Sequence, residues 1–277
     1  MQSTAPPSSS SPDEAIMAPP PPVPQEDTKA HQELLKRLAS LNLQAEEVEE
    51  PSDSLFDVLS ATALARVALQ LHKGVAKIPN TLWQTPSSLP PISKRAERKY
   101  FVPSKRHEYL YTHPAPNSLV VKVVNHKECQ GQPAPTLKNK DSRRLDLFGR
   151  KLYSSSSFQL RVANHQALLG RYDFNLWGSM PKFTDSLQEH DRKEYKALVE
   201  EGTASARVAL QAASDAADMA ARTMTSAVSM RRASWLLLSR LSIEAQSSLQ
   251  DLPFHGKALF AELTDMKLHS LKDSRRP

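Results

Sequence analysis

The chain has 277 residues, with 36 Lys/Arg against 30 Asp/Glu and a net charge of +6; that length accommodates one large domain with tails. Its single cysteine, Cys129, excludes an internal disulfide framework and points to a reducing compartment. Mean hydropathy is −0.49, and no apolar run approaches the roughly 20 residues of a membrane span.

Eight of the 21 prolines precede residue 25, ten lie from Pro51 to Pro135, and only Pro181, Pro253 and Pro277 follow. Proline lacks an amide hydrogen and clashes with the preceding helical turn, so long helices belong in the second half. The expected class is therefore all-α: a long-helix bundle after a disordered tail and a proline-rich, partly extended middle.

Residues 1–26, with Ser8–Ser11 and Pro19–Pro22, are expected to form a disordered tail of polyproline character. They show no charged and then apolar secretory leader. Deleting them should leave the melting temperature unchanged; a loss of several degrees would show that the tail packs on the domain.

Residues 27–75 read as a helical hairpin. Leu34, Leu35, Leu38, Leu41 and Leu43 have roughly helical spacing behind a Thr28 cap, and Pro51 ends the run. Ser52 or Asp53 caps a second helix carrying Leu55, Phe56, Leu59, Ala63, Val67 and Leu71. Gly74 is its expected stop.

Residues 76–157 read as a basic, proline-containing extended or loop region. From Lys94 to Lys151 there are 14 Lys/Arg against 5 Asp/Glu, a net of +9. Leu119–Val124 has β propensity, and residues 130–142 look like an exposed loop. Aromatics interleave with the basic residues, among them Tyr100, Phe101, Tyr109, Tyr111 and Tyr153. That mixture suits weak, salt-sensitive binding of nucleic acid. A solvated surface with aromatic anchors is the favoured reading, because no nucleic-acid motif accompanies the charge. The run Lys94–Lys99 has the form of a nuclear-import signal.

Residues 158–277 read as a helical coiled-coil domain. Phe158–Trp177 forms one helix ending near Gly178, and Pro181 suits a first turn. A second helix, about Thr184 to Met230, meets no proline. Tyr195, Val199, Gly202, Ala206, Ala209, Ala213, Ala216, Ala220, Thr223 and Ala227 recur at spacings of four and three. This is a heptad seam of small residues, read as the homodimer interface, with packing inside one monomer as the alternative. Leu210, Ala217, Ala221, Met224 and Val228 form a second stripe. Shorter segments follow at Trp235–Leu241, Ser242–Leu249 and Lys257–Leu271, the last two divided by Pro253 and Gly256.

Chemical constellations are sparse. His126 and Cys129 have metal-ligating side chains, but no second pair stands at zinc spacing. Ser154–Ser157 near His165 lacks a nucleophile elbow, and there is no phosphate loop or dinucleotide fingerprint. No catalytic residue, cofactor or metal is expected, and the protein is read as no enzyme. Ser234 follows Arg231-Arg232-Ala233, the arginine spacing that basic-directed kinases read, and is the phosphorylation candidate.

Several ordered motifs carry a family resemblance. They are Tyr100-Phe101-Val102-Pro103, Tyr109-Leu110-Tyr111-Thr112-His113-Pro114, Asn117–Val121, Leu145–Lys151 and Leu160–Asn164. Met230-Arg231-Arg232, Ser234-Trp235-Leu236 and Asp251-Leu252-Pro253-Phe254 follow. Over about residues 30–277 the chain resembles the C-terminal domain of the alpha isoform of lamina-associated polypeptide 2. It equally resembles the Gag-like first frame of DIRS-type retrotransposons. The resemblance implies an all-helical domain dimerising through a long antiparallel coiled coil, in the nucleoplasm; the lack of a long apolar run keeps the expected partners off the membrane. It also implies A-type lamin and the retinoblastoma protein as partners, bound through about Met230–Leu271. Arg231, Arg232, Trp235, Leu236 and Phe254 are the contact candidates. A proline-serine tail stands where the lamina-associated protein carries chromatin-binding modules. That departure keeps the alternative of a transposon-derived, Gag-like protein that multimerises and binds nucleic acid.

Overall fold

The computed structural model describes residues 31–37, 45–48, 66–69, 71–128, 136–260 and 262–273. The chain divides into two compact units, Met1–Val75 and Ala76–Pro277. The expected tail, and the caps at Thr28, Ser52 and Asp53, lie outside the described residues.

In the first unit residues 31–37 are helical (α1), with Leu34 and Leu35 buried. Two short stretches of the expected hairpin differ, while its Leu38, Leu41, Leu43, Leu55, Phe56, Leu59 and Ala63 lie outside the described residues. Ala45–Val48 (β1) pairs antiparallel with Arg66–Leu69 (β2), Ala45 opposite Leu69. Helix α2 spans Lys73–Leu82, so Gly74 lies in its first turn and does not close a preceding helix.

The second unit is a helical bundle dominated by two helices. After α3 (Lys94–Glu97) and α4 (Leu119–Glu128) comes α5, the 40 residues Lys140–Ser179. Then α6 takes the 48 residues Glu189–Leu236, followed by α7 (Ile243–Gln250) and α8 (Glu262–Asp273). At 1.5 Å per residue α5 and α6 reach about 60 and 70 Å.

Helix α5 starts 18 residues before the expected Phe158. Asn139 caps it, its side-chain oxygen accepting from the amides of Asp141 and Ser142, and Asp141 complements the helix dipole. A 3-10 segment, Met180–Ser186, follows with Pro181 in its first turn. Proline cannot extend the α-helical ladder, so the chain turns here. Glu189 and Asp191 open α6, whose alanines supply the highest helix propensity.

Leu119–Val124 is helical, against its β propensity. Val120, Val121 and Val124 are buried, a helical spacing that turns one face to the core. The first amide of α4, on Leu119, donates to Asp265 Oδ1 at 2.9 Å, and the Val120 amide donates to Ser118 Oγ at 3.1 Å. Tertiary packing outweighs local propensity here. The basic middle is accordingly helical in part, through α3, α4 and the first three turns of α5.

The main core lies near the C-terminal end of α6. Val120 and Val124 of α4, Tyr153 of α5, Trp235 and Leu236 of α6, and Leu249, Leu259 and Phe260 share one cluster. The segment before α4 is stitched to the segment before α8. The Leu259 amide donates to the Ala115 carbonyl at 2.9 Å, and the Phe260 amide donates to Asn117 Oδ1 at 3.2 Å.

Candidate interaction surface

Helices α5 and α6 run antiparallel within one chain. A methyl group on Gly149 would overlap Arg231 Cγ, and one on Gly170 would meet the Leu210 backbone at 3.3 Å. One on Gly202 would overlap the Trp177 ring. The approach is close because both contacting rows are small. On α6 the row is Val199, Ala206, Ala213, Ala220 and Ala227, continued by Ser234, all buried. On α5 it is Ser142, Gly149, Ser156, Ala163 and Gly170, also buried. The α5 row was missed in the sequence, although its strict spacing of seven was there to be found.

The expected dimer seam therefore divides. Val199, Ala206, Ala213, Ala220 and Ala227 are inner positions spent on α5 of the same chain. Their alternates keep some exposure: Ala209 is exposed, while Tyr195, Gly202, Ala216 and Thr223 are half-buried. Tyr195 donates from its hydroxyl to the Met180 carbonyl at 2.7 Å.

The five partner-contact candidates also need correction. Arg231, Arg232, Trp235 and Leu236 are all at most 2% exposed, and Phe254 is half-buried against the core. Arg231 donates from Nε to Asp146 Oδ1 at 2.8 Å and from Nη1 to the Pro114 carbonyl at 2.7 Å. The other Asp146 oxygen accepts from Arg150 Nε at 2.7 Å. Arg232 gathers four carbonyls around the turn after α7: Leu259 at 2.7 Å, Gln250 at 3.0 Å, Pro253 at 3.1 Å, and Leu252. Adjacent residues on a helix point about 100° apart. The two arginines thus tie α6 to different neighbours. Burial pushes both guanidinium groups below their ordinary pKa, opposed by Asp146 and by Asp251 respectively. Ser234 is fully buried and donates to the Arg231 carbonyl at 2.7 Å. A kinase reaches its hydroxyl only if this end of α6 opens.

Other motif residues serve the helix they stand on. Ser156 and Ser157 are buried and donate to carbonyls of the preceding turn, and His165 Nδ1 lies 3.0 Å from the Arg161 carbonyl. Cys129 lies outside the described residues. Among the described residues no three His, Cys, Asp or Glu side chains cluster to hold a metal. Nor is any of their helices long and apolar enough to cross a membrane.

Tyr153 donates to the Tyr109 carbonyl at 3.0 Å; burial, then Tyr109, push its phenol up to about 12. Partial burial, then the charges of Arg150 and Arg231, push His113 below its ordinary 6.5. The native state then binds this proton less readily than the unfolded chain. Stability from this group is complete above 6.5 and falls as pH drops through that value. Between pH 7.5 and 5.5, His113→Asn should lose less melting temperature than the wild type; equal losses would remove the coupling.

The pattern of two long helices closed by the Met230-Arg231-Arg232 and Ser234-Trp235-Leu236 motifs coincides with a known family. The family model for lamina-associated polypeptide 2 alpha matches residues 36–269. The chain belongs to this family. The lamina-associated polypeptide 2 alpha match takes in both long helices, the two arginines and most of α8. No curated protein and no solved structure matches the chain.

Proposed function

We propose that the chain is a non-enzymatic nuclear scaffold that homodimerises along the α5–α6 hairpin and binds A-type lamin and the retinoblastoma protein. The observation that carries the dimer is an uncovered apolar flank. Leu160 and Ala167 of α5 and Leu210 and Ala217 of α6 line one groove, beside Val102 and Leu110. They mark the flank that residues 102–110 adjoin. The residue just before each inner position points to the opposite flank. There Leu169 and Leu176 of α5 are 64% and 42% exposed, and Leu198 and Met219 of α6 are 56% and 57% exposed. An apolar face of this length favours a second hairpin over water.

For the protein partners, the exposed apolar groups after α6 replace the buried candidates. Leu237, Ile243, Leu263 and Met266 are 61%, 83%, 42% and 59% exposed. The family's name supports lamina association and a nuclear location.

Light scattering should give twice the chain mass of 30.8 kDa for the wild type. Leu169→Glu with Met219→Glu should return it toward one chain with helix content unchanged. Ile243→Asp with Met266→Asp should abolish capture of A-type lamin while the dimer persists. A wild-type monomer at micromolar concentration would refute the dimer, and absence of lamin capture by the wild type would refute the partner.

A further inference from the structure

The first turns of α5 concentrate positive charge on their outer surface. Lys140, Arg143, Arg144 and Lys151 are exposed there, with Phe148 between them at 45% exposure. At 1.5 Å per residue the row runs about 16 Å along the helix. Of the two acids in these turns, Asp141 is exposed beside Lys140 and offsets one of the four exposed cations, while Asp146 is turned inward. It is 3% exposed, with one oxygen on Arg231 and the other on Arg150. Two cations share that one acid, so the outer surface keeps its positive balance.

A cleft of about 470 Å³ opens beside this row, lined by Pro91, His113, Arg144, Phe148, Arg150 and Lys151 among others. The Arg144 guanidinium carbon lies 5.7 Å from the Phe148 ring centroid. Lys151 donates to the Ser87 carbonyl at 3.0 Å, and an ammonium has three donors. His113 is pushed down first by burial and then by the charges of Arg150, which lines the cleft, and of Arg231 behind it.

We propose that this cleft binds single-stranded nucleic acid, with phosphodiesters on Arg144, Arg150 and Lys151 and an unpaired base stacked on Phe148. Two observations favour this ligand over a phosphorylated peptide. The cations continue beyond the cleft to Arg143 and Lys140, which suits a repeating anion. The exposed ring gives a platform that any base accepts. A single phosphoserine would engage the cleft and leave both ring and row unused. The site lies at the start of α5, about 20 residues before Leu169 and roughly 30 Å from it along the helix, and shares no residue with the surface after α6, so it stands apart from the lamin-binding reading.

Fluorescence anisotropy of the full chain with a labelled oligodeoxythymidine of about 20 nucleotides tests it. Arg144→Glu with Lys151→Glu should weaken binding tenfold or more. Phe148→Ala should weaken it several-fold with little change in salt dependence, since stacking releases no counterions. Lys193→Glu with Lys196→Glu, the same charge change on exposed positions of α6, should have a much smaller effect. In wild-type protein the oligonucleotide should shift the His113 imidazole resonance, a readout that needs no variant to fold. Equal losses in the two double variants would reduce the attraction to net charge and overturn the site. An unmoved His113 signal at saturation would overturn it too. Displacement of the oligonucleotide by a phosphoserine peptide, at concentrations where its unmodified form is inert, would reassign the cleft to phosphopeptides.

Discussion

Replacing Asp146 by Asn should cost about 3–5 kcal/mol, because it leaves a buried cation without its counter-charge. Arg231 is fully buried, and its Nη2 already lacks a hydrogen-bond partner. The Asp146 carboxylate is the acid that holds its Nε. A guanidinium does not shed its proton in a protein, so the loss appears as instability rather than as titration. The melting temperature should fall by on the order of 10 °C for a domain of this size. Asp146→Leu combined with Arg231→Met should recover much of the loss, since apolar replacement of a buried pair is often neutral or better. A melting temperature within about 2 °C of wild type for Asp146→Asn would show that the pair is wet or dispensable.

Enlarging the inner seam should be nearly as damaging, and inside the monomer. Ala213 and Ala220 are 3% and 0% exposed, at positions where the α5 backbone comes close. Leucine at both sites forces the helices apart at about 1–3 kcal/mol per site, roughly 2–6 kcal/mol together. The expected signature of Ala213→Leu with Ala220→Leu is a lower melting temperature with an unchanged scattering mass below it. If the mass halves while thermal stability holds, the inner positions pair between chains. Ala216 is half-buried on the adjoining edge, so Ala216→Leu should act more on association than on stability.

Much of the bundle was legible in the residues. The absence of proline between Pro135 and Pro181, and again up to Pro253, predicts two long helices; the break at Pro181 is where expected, and α7 coincides with the expected segment Ser242–Leu249 to within a residue. The start of α5 was harder to read. Residues 138–151 are too polar to show an apolar stripe, and the signal present was the Asn139 cap with small residues at intervals of seven. Leu119–Val124 misled because valine-rich runs suit either structure. Asp265, Phe260 and Leu259, well over a hundred residues later, decide for helix.

The sequence by itself determined the family, the two long helices and the small-residue periodicity of α6. These rest on local constraints: proline geometry, alanine propensity and a repeat that any neighbouring helix can satisfy. Only the tertiary structure decided which neighbour satisfies it. A heptad of alanines specifies close approach but not whether the second backbone belongs to the same chain, and α5 supplies it here through Gly149, Ala163 and Gly170. Tertiary structure likewise turned Arg231 and Arg232 from contact candidates into core ties. An arginine read alone is a surface cation; it becomes internal only where Asp146 and a ring of carbonyls replace the water it gives up.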